Sequence, residues 1–162
     1  MRKRSLGNLN FSKKISELNK KALAHEDVVN LAAYRNASLP NSAKTILLVD
    51  DDPVTLNTMK RIFEAEQYKV YVAKDAMEVS KIIEDTALDV ILLDVQLPWI
   101  DGYELCSLLK STPFLKDLPV ALISILKEEE DIRKGFESGC DEYIIKPFDV
   151  AELQETVAKL IG

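Results

Sequence analysis

The chain is poor in cysteine and histidine and has no long apolar run. Its two cysteines, Cys106 and Cys140, stand far apart and outside any CxxC or Cys/His cluster. Zinc and thiol-redox chemistry are therefore poor readings, and buried reduced thiols are the plain one. No run approaches the ~18 apolar residues a membrane span needs. Met1-Arg-Lys-Arg4 has the charge of a signal-peptide start, yet no apolar segment follows it. A cytoplasmic location is the expectation. Internal repeats and low-complexity tracts are missing as well. What remains is an ordinary globular composition, 47% apolar and 30% charged over 162 residues. That length accommodates one domain with a real core plus an appendage.

Charge divides the chain. Residues 1–43 hold eight Lys/Arg and three Asp/Glu, a balance of +5, against −11 for residues 44–162. The first part reads as a basic extension. Phe11, Ile15, Leu18 and Ala22 recur at helical spacing, and Val28, Val29, Leu31, Ala32 and Tyr34 continue the pattern. A helix is expected from about 11 to 36, followed by the linker Ser38-Leu-Pro-Asn-Ser42.

From Lys44 onward, short apolar runs alternate with amphipathic segments. Strands are expected at Thr45–Val49, Lys69–Ala73, Asp89–Leu93, Pro119–Ser124 and Glu142–Ile145. Helices are expected near Pro53–Glu66, Asp75–Glu84, Tyr103–Lys110 and Glu128–Ser138, with a fifth from Asp149 to the end. Asp75 and Asp149 are N-cap candidates, and Gly139 is a natural helix terminator. Five β/α units with nearly continuous apolar strands predict an α/β fold, covered on both faces. The expected architecture is a doubly wound, five-stranded parallel sheet of order 2-1-3-4-5, flavodoxin-like, with an extra N-terminal helix.

Ligands collect at the carboxyl ends of such strands. There the sequence sets Asp50 and Asp51, Asp94, Ser124 and Lys146. Clustered carboxylates repel and need compensation. A hard divalent cation, Mg²⁺ or Mn²⁺, supplies it through oxygen ligands and recruits phosphate oxygens. A carboxylate beside such an ion can act as a nucleophile and form an aspartyl phosphate. A lysine and a hydroxyl then stabilise the charge that develops on the transferred group. Taken singly, each residue has a bland reading: Asp50 and Asp51 as helix caps, Lys146 as a surface amine. Lys146-Pro147 is a candidate cis bond.

Four segments carry a family resemblance. They are Ile46-Leu-Leu-Val-Asp-Asp-Asp-Pro53, Leu92-Leu-Asp-Val-Gln-Leu-Pro-Trp-Ile-Asp-Gly102, Pro119-Val-Ala-Leu-Ile-Ser124 and Gly139-Cys-Asp-Glu-Tyr-Ile-Ile-Lys-Pro-Phe148. Residues 44–162 resemble the receiver domain of two-component response regulators. The resemblance implies that Asp94 accepts a phosphoryl group from a histidine kinase or phosphotransfer protein. It implies that Asp51 binds Mg²⁺ directly, Asp50 largely through water, and the Gln96 backbone carbonyl as a third protein ligand. Ser124 would hydrogen-bond the phosphoryl group and Lys146 would pair with it. Tyr143 matches the switch aromatic, and Asp101-Gly102 would close the loop after Pro98. Asp52 is not expected to be a ligand. One departure stands out: the family usually has a small residue after Ser124, and here it is Ile125. Its side chain either crowds access to Asp94 or turns outward towards a partner.

The expected function is a phosphorylation-dependent switch that acts through protein contacts with a downstream effector. It would catalyse only its own phosphoryl transfer and dephosphorylation. With no room for an output domain after Gly162, the basic extension becomes a docking or dimerising helix. It would mask the face made by the fourth helix, fifth strand and fifth helix, or build a homodimer. The main alternative is a non-phosphorylated scaffold of the same fold. A haloacid-dehalogenase-like phosphohydrolase fits less well, because its nucleophile lies in an Asp-x-Asp pattern after the first strand. Direct nucleic-acid binding through residues 1–21 is minor, since the basic cluster is short and has no interleaved aromatic beyond Phe11. His25, followed by Glu26-Asp27, resembles the phosphorylated histidine of a kinase over two residues only, and a solvated or packed helix histidine is the plain reading.

Overall fold

The computed structural model describes residues 11, 13–17 and 43–162. Five strands alternate with five helices: β1 Thr45–Val49, α1 Pro53–Ala65, β2 Lys69–Ala73, α2 Ala76–Asp85, β3 Val90–Asp94, α3 Gly102–Lys110, β4 Val120–Ser124, α4 Glu129–Glu137, β5 Glu142–Ile145 and α5 Val150–Ile161. The strands form one parallel sheet of order β2-β1-β3-β4-β5. The switch point thus lies between β1 and β3.

The central strands are apolar because both of their faces are covered. Successive side chains point to opposite faces. Ile46 and Leu48 join Leu56, Met59 and Phe63 of α1 and Leu153 and Val157 of α5 in one cluster. Leu47 and Val49 join the other, with Val79 and Ile83 of α2 and Leu105, Cys106 and Leu109 of α3.

Local chemistry sets the boundaries. Asp52, Asp75, Asp101 and Asp149 cap α1, α2, α3 and α5 by accepting from backbone N–H groups in each first turn. Gly139, at φ +98°, closes α4 in the left-handed region. The peptide Lys146-Pro147 is cis. Strand β3 is shifted one residue from expectation. The Asp89 carboxylate accepts from Thr45 N at 2.7 Å and lies before the strand, whereas Asp94 still pairs with Ile123 on the last rung. Asp94 is therefore held in the ladder rather than in the loop beyond it.

The N-terminal segment requires a correction. Charge alone pointed it to the face of α4, β5 and α5. Phe11, Lys14 and Ile15 lie instead beside α2. Phe11 and Ile15 are almost wholly buried, in the cluster that holds Ala76, Val79, Ile83 and Ile100. Lys14 pairs with Glu84 at 2.9 Å. Burial decides this: burying a large apolar side chain contributes about 1.5–3 kcal/mol, an exposed ion pair about 0–1. Residues 11 and 13–17 are helical, whereas the rest of the helix expected to about residue 36, the linker at 38–42 and His25 lie outside the described residues.

Candidate functional site

Strand ends bring the acidic residues together. Asp50 follows β1, and its backbone N donates to Ala73 O at 3.2 Å. Its Oδ1 accepts from Asp52 N at 3.0 Å, which fixes the carboxylate as the chain turns into α1. Asp94 Oδ1 accepts from Gln96 N at 3.1 Å. Asp50 and Asp94 are buried and Asp51 is exposed. One carboxylate oxygen from each of the three lies within 4.8 Å of the others. Opposite ligands of octahedral Mg²⁺ stand about 4 Å apart, so the donor set suits a small, hard cation.

Lys146 answers the two buried acids. Its backbone N donates to Ser124 O at 2.8 Å, carrying the β4–β5 ladder one step past the sheet. Its Nζ then reaches Asp50 Oδ2 at 3.2 Å and Asp94 Oδ2 at 3.4 Å. Burial alone would lower the ammonium's pKa, but Asp94 and Asp50 reverse that and leave it raised. The Asp94 carboxyl is pushed up to about 6, first by burial and then by the charge of Asp50. The Gln96 N–H and Lys146 pull against that rise. One ammonium answers only part of the charge of three clustered carboxylates, and a divalent cation would supply the rest.

The remaining candidates surround this centre. Ser124 is fully buried at the end of β4, its Oγ accepting from Leu126 N at 3.0 Å. Ile125 points outward and is 61% exposed. Tyr143 on β5 donates to Leu126 O at 2.7 Å, in the same loop that follows Ser124. Its hydroxyl lies 3.4 Å from that of Tyr103, which donates to Asp131 O. Asp52 accepts from Val54 N and Thr55 N and serves α1.

Two features were not read from the sequence. Gly102, expected to close the loop after Pro98, serves above all as a point of close approach. A Cβ there would lie 2.5 Å from Asp94 O and press on Val95 Cα. Only glycine lets α3 begin against the backbone of the acidic residue. Tyr103 was the second, and a lone aromatic at a helix start gives no signal of the hydroxyl pair it forms.

An open parallel sheet with carboxylates and a lysine at its switch point defines a doubly wound α/β protein with an acidic cleft at the carboxyl ends of its strands. The response regulator receiver domain model matches residues 46–158, and the chain belongs to that family. It is 34% identical over 116 residues to the DNA-binding dual master transcriptional regulator RpaA of Synechocystis, a match covering 72% of this chain and 48% of that protein. It is 37% identical over 119 residues to the aerobic respiration control protein ArcA of Escherichia coli K12, with the same shares. The chain thus spans about half the length of these curated relatives. Among solved structures, the receiver domain of a signal transduction histidine kinase from Syntrophus aciditrophicus is similar, with TM-score 0.68 and 34% identity, covering 74% of this chain and 90% of that one. So is the receiver domain of the sensor histidine kinase PA1611 of Pseudomonas aeruginosa, described with a magnesium ion in its active-site cleft. It gives TM-score 0.68 and 27% identity over 75% of this chain and 99% of that one. Receiver domains of this family act as phosphoryl-accepting switches in two-component signalling. No described helix is long and apolar enough to cross a membrane.

Proposed function

We propose that this chain is a Mg²⁺-dependent switch whose phosphoryl acceptor is Asp94. The supporting observation is the convergence of Asp50, Asp51 and Asp94 within 4.8 Å, with Lys146 Nζ bridging the two buried acids. Asp51, Asp94 and the Gln96 carbonyl would hold the ion, with Asp50 largely through water. The ion supplies countercharge to the phosphoryl oxygens. An Asp94 carboxylate oxygen attacks the phosphorus of a phosphohistidine on a histidine kinase or phosphotransfer protein. A P–O bond forms, the P–N bond breaks, and the imidazole leaves with the electron pair and takes a proton from solvent. Lys146 moves its ion pair from the carboxylate to the new dianion, and the Ser124 hydroxyl turns from Leu126 N to donate to it. Tyr143 responds because its hydroxyl is tied to the loop that Ser124 would pull. Ile125, exposed beside Ser124, fits a partner-facing residue better than a plug over Asp94.

Output passes to an effector through protein contacts, and the chain transforms no other substrate. Residues 44–162 would form the switch and residues 1–43 an N-terminal extension, of which Phe11 and Ile15 pack into the switch's core. DNA binding belongs to the name of RpaA and is not carried over. The test is chemical. After phosphorylation by a small-molecule phosphodonor with Mg²⁺, borohydride should convert Asp94 to homoserine in the peptide that contains it. Homoserine elsewhere, or nowhere, contradicts the assignment.

A further inference from the structure

The segment around Phe11 lies against the loop that leaves the acidic site. Phe11 is 1% exposed, and its ring meets Trp99 edge to face, with centroids 5.9 Å apart. Trp99 Nε1 also donates to Lys74 O at 2.9 Å, in the turn before α2. Between Asp94 and α3 the chain runs Val95 to Asp101. Its near end binds Asp94 through Gln96 N, and Gln96 bridges to Asp101. Ile100 is buried in the same cluster as Phe11 and Ile15. One short loop thus carries Gln96 at the site and Trp99 and Ile100 under the N-terminal segment. Lys14, paired with Glu84, ties that segment to α2 from the far side.

We propose that the N-terminal segment is a positioning element for the acidic site: docking of Phe11 on Trp99 orders the 95–101 loop and sets how tightly Mg²⁺ is held. The proposal rests on the cation reading given under Proposed function. A loop already ordered loses less conformational freedom when the ion binds. Coupling is reciprocal, so an ion at the site must also tighten the segment's docking. Phe11 touches no ligand, and its influence passes through Trp99 and the loop backbone.

The test uses the full chain and Mg²⁺ alone. Calorimetry reads affinity, and trypsin cleavage after Lys13 and Lys14 reads docking. Phe11→Ala should be cleaved faster and should bind Mg²⁺ about 5-fold more weakly. Mg²⁺ should slow cleavage of the wild type and protect Phe11→Ala less. Glu84→Lys, which repels Lys14 without opening the core and keeps both cleavage sites, should move both readouts the same way. Adding Lys14→Glu, which remakes the pair with its charges exchanged, should restore the Mg²⁺ affinity. If either variant is cleaved faster while its Mg²⁺ affinity stays at the wild-type value, the coupling is absent. If the wild type itself binds no Mg²⁺, the cation reading fails first, and the two failures are distinct.

Discussion

Asp94 carries the opposing demands of the site. Burial and the charge of Asp50 push its carboxyl up to about 6, while the proposed phosphoryl transfer needs it ionised. An acid raised in the folded state stabilises the fold fully below its ordinary pKa near 4, and that contribution disappears as pH rises through 6. Without Mg²⁺, the Asp94 contribution should therefore fall between about pH 4 and 6, by about 3 kcal/mol at most. Asp94→Asn should flatten this decline and leave the metal-free protein about 1–2 kcal/mol more stable at pH 7.5, read by denaturant melts. Mg²⁺ binding should weaken below pH 6, as protons compete for the same carboxylate. Gly102→Ala forces a Cβ to within 2.5 Å of Asp94 O. We expect about 3 kcal/mol of destabilisation and loss of Mg²⁺ binding; a melting temperature within a degree of wild type would contradict this close-approach account. The charged residues of the site were legible because each stands at a strand end, where chemistry is expected. The glycine's role was hidden, since close approach of two backbones leaves no pattern in one sequence.

Elements translate this chemistry into packing. Helix α4 lacks a Cβ at Gly135, where one would lie 2.6 Å from Tyr143 Cδ2. Gly135→Ala improves helix propensity yet should cost about 1–2 kcal/mol by displacing that ring. Combined with Tyr143→Ala, the added cost should vanish; a purely additive double-mutant cycle would show that the ring and the glycine are independent. Gln67, just past α1, sits at φ 68°, where a side chain is strained. Gln67→Gly should raise stability by about 0.5–1 kcal/mol in thermal melts. Strands and helices were readable from alternating apolar runs and Asp caps, and their order from the βαβ repeat. The seat of Phe11 was not. Helical spacing marks an apolar face, but Trp99 and Ile100, some 85 residues away, decide where that face rests, against the pull that net charge alone implied.

At the scale of the molecule, two covered sheet faces hold a site of concentrated negative charge, and a cation should stabilise the whole. Millimolar Mg²⁺ should raise the wild-type melting temperature at pH 7.5, and Asp51→Asn should abolish most of that rise. The switch reading joins the parts. The ladder fixes Asp94, Lys146 shares its charge between Asp94 and Asp50, and the loop after Ser124 links it to Tyr143. The most direct test is intact mass after incubation with acetyl phosphate and Mg²⁺. The account predicts wild-type protein heavier by about 80 Da, with Asp94→Asn unchanged. An unmodified wild type, or a gain that survives Asp94→Asn, would contradict it.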